Sequence, residues 1–272
     1  MKTIILATDF SAAALNAGVY AVKMANTVDA AVLILNVYEV IANYGEMVID
    51  LDVNDLKINA ESEMLKFKSS LIQQTNTNSS ITTEVRLGIF KDELVSMCES
   101  INPYAVIMGS QEKTATENFL MGGHAGKTID HFTWPMITVP ATAVFADIKK
   151  IAIAFDFNAA IEEDFIKDIK LLAIDFNATI DIINVSNEAE FDAEFTTLSH
   201  TLEQAFKPFE IKYNFLSDNN TDEAILAFVE DNNIDLLVVM PKHHNFFQKI
   251  FQKSHTKNLV LHSHVPVLSL NK

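Results

Sequence analysis

The chain of 272 residues runs through the same order of patterns twice, and this repeat constrains its fold more than any other feature. Each copy opens with a lysine-led apolar run that ends in an acid. Asp9 corresponds to Asp156, and Asn36 corresponds to Asn184. The two members of each pair are separated by nearly the same number of residues, which is more than half the length of the chain. Solenoid repeats run about 20–50 residues, so a period this long indicates duplication of a whole domain.

Later landmarks lie closer together, because the first copy carries extra residues after its second strand. The acidic pair at residues 92–93 corresponds to the pair at residues 222–223, and Pro135 corresponds to Pro266. Runs rich in Val, Ile and Leu alternate with segments of helical apolar spacing. This alternation predicts two tandem α/β domains, residues 1–143 and 147–272, each with an open parallel, Rossmann-like sheet covered by helices.

Charge and composition narrow the functions and locations that we expect. There are 36 acidic and 20 basic residues, for a net charge of −16, and such a surface disfavours binding to nucleic acids. No apolar run reaches the roughly 20 residues of a membrane span. The apolar start is interrupted by Asp9 too early for a signal peptide. The one cysteine, Cys98, is expected to be a small core residue, and nothing requires an oxidising compartment, so we expect a cytoplasmic protein.

A candidate ligand site is predicted where the order of strands reverses, beyond their carboxyl ends. Thr8 and Asp9 end the first strand, and Met108 and Gly109 end the fourth. A carboxylate there can accept hydrogen bonds from ribose hydroxyls. Glycines let the backbone approach phosphates, and free amides at a helix start hold them. Four of the seven glycines cluster in this part of the chain, and the alternative is that they only form tight turns: Gly109, Gly122, Gly123 and Gly126.

The opening ATDFS and the later MGS…GG…WPMITVP resemble the universal stress protein family, and the resemblance extends over nearly all of the chain. ATP-binding members of that family carry G-x2-G-x9-G-[S/T] after the fourth strand. The first and third glycines of that pattern fall on Gly109 and Gly122. Glu112 stands at the second glycine and Gly123 at the Ser/Thr position. These departures predict weakened binding and favour a ligand with fewer phosphates.

The resemblance implies an adenine nucleotide, ATP, ADP or AMP, bound in the first half only. It also implies an adenine nucleotide alpha hydrolase-like fold whose last strands, PMITVP and PVLSL, pair to make a pseudo-dimer. The family's acid falls on Asp9 and its adenine-side contact on Val37. The predicted nucleotide-binding residues are Thr8, Asp9, Val37, Met108, Gly109, Gly122, Gly123 and His124.

The second half lacks the glycine pattern, since no glycine follows Gly126 and Met240 stands where Gly109 would be. A basic, Phe-rich segment at residues 241–258 replaces it. Four interpretations are open for this segment: a short helix packed on its own domain, a docking surface for a protein partner or a second copy, an anion site, or membrane contact, which the net charge disfavours. The candidate residues of the anion or partner site are Lys242, His243, Lys253, Ser254 and His255.

No hydrolase elbow, zinc-protease, redox-thiol or P-loop motif occurs in the chain, so no catalytic residue is assigned and an enzyme is not indicated. The C-terminal histidines have no cysteine or acid close in sequence, and no metal site is predicted. The sequence therefore predicts a cytoplasmic stress-response protein that binds an adenine nucleotide in its N-terminal domain. The alternative is a nucleotide-independent scaffold that acts through the basic Phe-rich segment.

Overall fold

The computed structural model describes most of the chain, in several stretches. Within residues 193–198 and 253–257 it describes the backbone alone. The described residues are 1–39, 53–77, 79–110, 132–155, 163–185, 193–216, 220–240 and 253–270.

Strands and helices alternate in both halves, as the repeat predicts. The elements of the first half are β1 (Lys2–Ala7), α1 (Ala12–Val28), β2 (Ala30–Tyr38), α2 (Val53–Thr75), β3 (Ile81–Leu87), α3 (Phe90–Ile101), β4 (Ala105–Ser110) and β5 (Met136–Pro140). The elements of the second half are β6 (Lys150–Ala154), α4 (Glu163–Phe176), β7 (Thr179–Val185), α5 (Ala193–Phe206), β8 (Ile211–Leu216), α6 (Thr221–Asp231), β9 (Leu236–Val239), α7 (Lys253–His262) and β10 (Val267–Ser269).

All of these strands join one ten-stranded sheet, in the order β3-β2-β1-β4-β5-β10-β9-β6-β7-β8. Neighbouring strands are parallel within each half. At the centre, β5 and β10 run antiparallel, with Ile137 opposite Leu268. The predicted pairing of the last strands is therefore confirmed, and with it the open α/β fold arranged as a pseudo-dimer.

Strand residues alternate between two apolar layers, because successive side chains of a strand point to opposite faces of the sheet. Ile4 and Leu6 belong to a core that includes residues of α1, α2, α4 and α5 and extends across both halves. Ile5 and Ala7 belong to a separate core under α3. The second half has its own core on that opposite face, under α6 and α7. One layer of helices is thus shared by the two halves, whereas the other is divided between them.

Helix α1 begins at a well-defined cap next to the predicted site. Ser11 has an extended backbone and its hydroxyl accepts a hydrogen bond from the amide of Ala14, which satisfies one of the free amides of the first turn. The helix ends at Asp29, which adopts the left-handed conformation with a φ of 52°. The residues between are rich in alanine, which lets the helix lie close to the sheet.

A polar cluster ties the first half to the second. Nζ of Lys2, at the start of β1, lies 2.6 Å from Oδ2 of Asp175 in α4. The hydroxyl of Tyr104 donates to the same oxygen at 2.8 Å, and Nζ of Lys2 lies 5.0 Å from the centroid of the Tyr104 ring. Burial, and then the hydrogen bond to Asp175, raise the pKa of Tyr104 well above its usual range.

None of the helices in the described stretches combines the length and the apolar character needed to cross a membrane.

Candidate functional site

The carboxyl end of β1 is fixed by a buried asparagine on the neighbouring strand. The amide of Thr8 donates to the carbonyl of Leu35 at 2.9 Å. Nδ2 of Asn36 donates to the carbonyl of Thr8 at 2.8 Å, and both residues are buried. These two bonds extend the contact between β1 and β2 beyond the last residue of β1, so the position at which the chain leaves the sheet is defined.

The turn from β1 into α1 presents the carboxylate of Asp9 at this edge. Thr8 Oγ1 accepts from the amide of Phe10 at 2.9 Å, and Phe10 takes a left-handed φ of 63°. Asp9 is exposed, and its Oδ1 accepts from the amide of Ser11 at 3.0 Å. Its other oxygen, Oδ2, has no hydrogen bond to any described residue. The carboxylate is therefore oriented through one oxygen, and the described residues leave the other without a partner.

Gly109, at the end of β4, permits a close approach of α1. A Cβ atom at this position would lie 2.6 Å from the carbonyl oxygen of Ala13 and 3.0 Å from the amide nitrogen of Ala14. Both are backbone atoms of the first turn of α1, so a side chain there requires the helix to move. The structure thus gives Gly109 a packing role, which sequence reasoning did not identify.

The other described candidates, Met108 and Val37, lie near the carboxyl ends of β4 and β2 at the same edge. The Met108 side chain is buried in the core under α3, so only its backbone is available to a ligand. Val37 is half-buried and packs against that core. Because β1 lies between β2 and β4 in the sheet, Asp9 follows the strand flanked by Val37 on one side and Gly109 on the other. The order of strands reverses at this point, as a ligand site in this fold class requires.

The remaining candidates are not described at the level of side chains. Gly122, Gly123, His124, Lys242 and His243 lie outside the described residues, as does Glu112. For the first residues of α7, only the backbone is described: Lys253, Ser254 and His255.

The second half repeats the strand-end framework with larger apolar side chains, Phe155 and Met240, at the positions of Thr8 and Gly109. The amide of Phe155 donates to the carbonyl of Ile183 at 2.9 Å, and Nδ2 of Asn184 donates to the carbonyl of Phe155 at 2.9 Å. The Phe155 side chain is buried, and Met240 packs against the same shared core. Helix α1 packs on β4, whereas α4 packs most closely on α1 and α5.

The repeated asparagine is the part of the site that motif reasoning missed. Asn36 is one of the residues that reveal the duplication, since Asn184 corresponds to it, but no motif assigns it a role. An amide that bonds the preceding strand end in both halves is a structural element of the fold. The signal available in the sequence is that an asparagine follows the strand-one acid at nearly the same spacing in both halves.

Cys98 is fully buried in the core under α3, as the sequence predicted. Burial raises the pKa of its thiol to about 12. The thiol is therefore protonated at neutral pH and is not a reactive group. Among the described residues, no group of three or more His, Cys, Asp or Glu side chains is placed to hold a metal ion.

Comparison with known proteins identifies the family of both halves. Residues 1–140 and residues 147–270 each match the model of the universal stress protein family. The chain belongs to the universal stress protein family. The matches confirm two tandem family domains, while the boundaries at residues 143 and 147 stay a prediction.

Relatives align over the full length of this universal stress protein. Universal stress protein Slr1230 from Synechocystis sp. is 23% identical over 295 residues, which cover 99% of each chain. The crystal structure of a universal stress protein from Archaeoglobus fulgidus matches with a TM-score of 0.71 at 16% identity, covering 99% of this chain and 96% of that chain. A putative universal stress protein from Pseudomonas aeruginosa matches with a TM-score of 0.59 at 11% identity, covering 99% and 93%. The structural matches support the fold.

Proposed function

We propose that this protein is a nucleotide-responsive stress protein of the cytoplasm that binds an adenine nucleotide in its first half. The observation that carries the proposal is the exposed Asp9 carboxylate, oriented by Ser11 at the point where strand order reverses. Its second oxygen is suited to accept hydrogen bonds from the hydroxyls of a ribose. Val37 would supply a backbone contact on the adenine side. The amides of residues 122–124 would hold the phosphates.

The predicted ligand is AMP in preference to ATP. Glu112 adds a negative charge where the family pattern has a glycine, and Gly123 removes a hydroxyl that would bind a phosphate oxygen. Both changes disfavour each additional phosphate. We expect the affinity to decrease from AMP to ADP to ATP. Binding at this edge of the sheet would change the surface that the protein offers to a partner.

Isothermal titration of the full chain with AMP, ADP and ATP tests this function. Asp9→Asn keeps an oxygen for the Ser11 amide but removes the charge. It should weaken AMP binding tenfold or more, because hydrogen bonds to charged groups contribute about 1.5–3 kcal/mol. Asp29→Asn is the matched control, since Asp29 is an exposed acid at the far end of α1 whose left-handed conformation asparagine tolerates. Absence of saturable binding below millimolar concentration would refute the proposal.

A second candidate is a nucleotide-independent scaffold that uses the basic Phe-rich segment. It is favoured by the second half, where Phe155 and Met240 replace Thr8 and Gly109 and pack with the shared core. This candidate predicts association that weakens when Phe247 and Phe251 are both changed to Ser, with or without AMP. Light scattering of the double variant measures it, and an unchanged mass at all concentrations would exclude self-association through this segment.

A further inference from the structure

The second half contains a surface cleft of about 530 Å³ at the amino end of β9, away from the proposed nucleotide site. Its apolar wall is formed by Leu226 and Val229 of α6, with Val265 opposite. Its volume falls within the range of about 300–1,000 Å³ that is usual for small-molecule sites. The equivalent residues of the first half show which side chain is missing at the cleft.

Backbone contacts fix which residues of the two halves correspond. Helix α3 begins at Phe90 and helix α6 at Thr221, and the interval between them equals that between Pro135 and Pro266. The amide of Val106 donates to the carbonyl of Pro135 at 2.8 Å, and the amide of Leu237 donates to that of Pro266 at 3.0 Å, in the same register. Trp134, which precedes Pro135, therefore corresponds to Val265.

Asparagines occupy equivalent positions after the two helices. Asn102 and Asn233 both take the left-handed conformation, with φ values of 49° and 51°. The number of residues between Asn102 and Asn233 equals the number between the starts of the two helices. The chain enters β4 from one and β9 from the other. The amide side chain is thus offered at the same place in both halves.

In the first half an indole covers this place. Nε1 of Trp134 donates to Oδ1 of Asn102 at 3.2 Å, and the Trp134 ring packs edge-on against Phe132 with centroids 5.4 Å apart. In the second half Ser263 and Val265 stand in place of these two aromatic residues. Ser263 forms its side-chain hydrogen bonds with the backbone of Val265. Trp134 of the first half therefore stands at the position where Val265 lines the cleft in the second half.

Acidic side chains line the cleft, and their charge determines which kind of ligand is favoured there. Glu223, Glu230 and Asp235 line it, together with His262 and His264. No lysine or arginine is among its described lining residues, so the three carboxylates disfavour a phosphate or a carboxylate there. A cation is favoured for the same reason.

We infer that this cleft binds a planar aromatic cation, such as an indole that carries an amine. The ring packs on Leu226, Val229 and Val265, where the first half has its own indole. The ring N–H donates to Oδ1 of Asn233, as Trp134 does to Asn102. The ammonium group lies among the carboxylates at the rim. The ligand thus occupies the space that Trp134 fills in the other half.

Tryptamine is the probe, and indole-3-acetate is its matched control with the same ring and the opposite charge. Ligand-observed NMR and isothermal titration of the full chain should show saturable binding of tryptamine at one site, and binding of indole-3-acetate at least tenfold weaker. Equal affinity for the two compounds, or no saturable binding of tryptamine, would overturn the inference.

Val265→Trp should abolish tryptamine binding, because it restores the side chain that fills this position in the first half. Val144→Trp is the control, since Val144 is 79% exposed between the two domains and adds an indole without filling the cleft. Equal binding by both variants would contradict the site. If Val265→Trp does not fold, Glu230→Gln at the exposed rim decides: a loss of affinity of several-fold supports the inference, and unchanged affinity overturns it. AMP binding should be unaffected by these variants, which separates this test from that of the proposed nucleotide site.

Discussion

Gly109→Ala tests whether the approach of α1 to β4 is as close as the structure indicates. The added Cβ would lie 2.6 Å from the carbonyl oxygen of Ala13 and 2.7 Å from its carbonyl carbon. Favourable contacts lie near 3.5–4.0 Å, so the first turn of α1 must retreat by about 1 Å. Overpacking of this kind costs about 1–3 kcal/mol. Alanine has a lower backbone entropy than glycine in the unfolded chain, and this offsets about 0.5–1 kcal/mol of the cost of overpacking.

The expected result is a loss of about 1–2 kcal/mol in the free energy of unfolding. The assay is urea denaturation followed by circular dichroism, with the slope of the transition compared between variants. The retreat of the first turn also displaces the hydrogen bond between Asp9 and Ser11, so AMP binding should weaken in parallel.

Gly18→Ala is the matched control, because it makes the same substitution in the helix that Gly109 contacts, with an equally short distance. Its Cβ would meet Cδ2 of Leu71 at 2.6 Å, and this is the end of a side chain that can rotate. Alanine also gains about 1 kcal/mol over glycine inside a helix. The net change should therefore be small. A stable Gly109→Ala together with a destabilised Gly18→Ala would refute the reasoning.

Buried groups give three further predictions. The hydroxyls of Thr138 and Ser269 are buried without hydrogen-bond partners among the described residues. Thr138→Val and Ser269→Ala should therefore each raise the free energy of unfolding, measured by urea denaturation, by about 1 kcal/mol. A loss of stability in both variants would contradict this prediction. The pKa of Tyr104 is raised in the folded state, so its contribution to stability is complete below about pH 10 and decreases as the pH rises above that value. Thermal melts on both sides of this pH should show a smaller alkaline decrease for Tyr104→Phe than for the wild type, and identical slopes would count against this. Cys98 should not react with a thiol reagent in the native protein and should react fully in urea; rapid native labelling would show that its core is open.

The duplication and the alternating strand and helix patterns were sufficient to predict the architecture. Apolar strand runs and helical spacing are local signals, and the fold class depends on their order alone. The antiparallel pairing of β5 with β10 came from family resemblance, since nothing in the two short strands specifies which edge they join. The structure confirms both predictions.

Long-range packing is what the sequence did not predict. The role of Gly109 depends on backbone atoms of Ala13, far away in the chain, and no spacing rule connects them. The cleft in the second half was also not apparent. Matching the acids at residues 92–93 with those at 222–223 displaces the register by one position, whereas the helix starts at Phe90 and Thr221 make Asp92 correspond to Glu223. The match of Pro135 with Pro266 already places Trp134 at the position of Val265, but the sequence does not show that this position borders a cleft.

The antiparallel seam between β5 and β10 joins two copies that belong to one polypeptide. Its strength is therefore independent of protein concentration, unlike that of a seam between separate chains, which dissociates on dilution. Two identical subunits must also carry the same residue at every symmetric position. Within one chain each copy can change alone, so Gly109 opposite Met240 and Trp134 opposite Val265 are differences that two identical subunits could not hold.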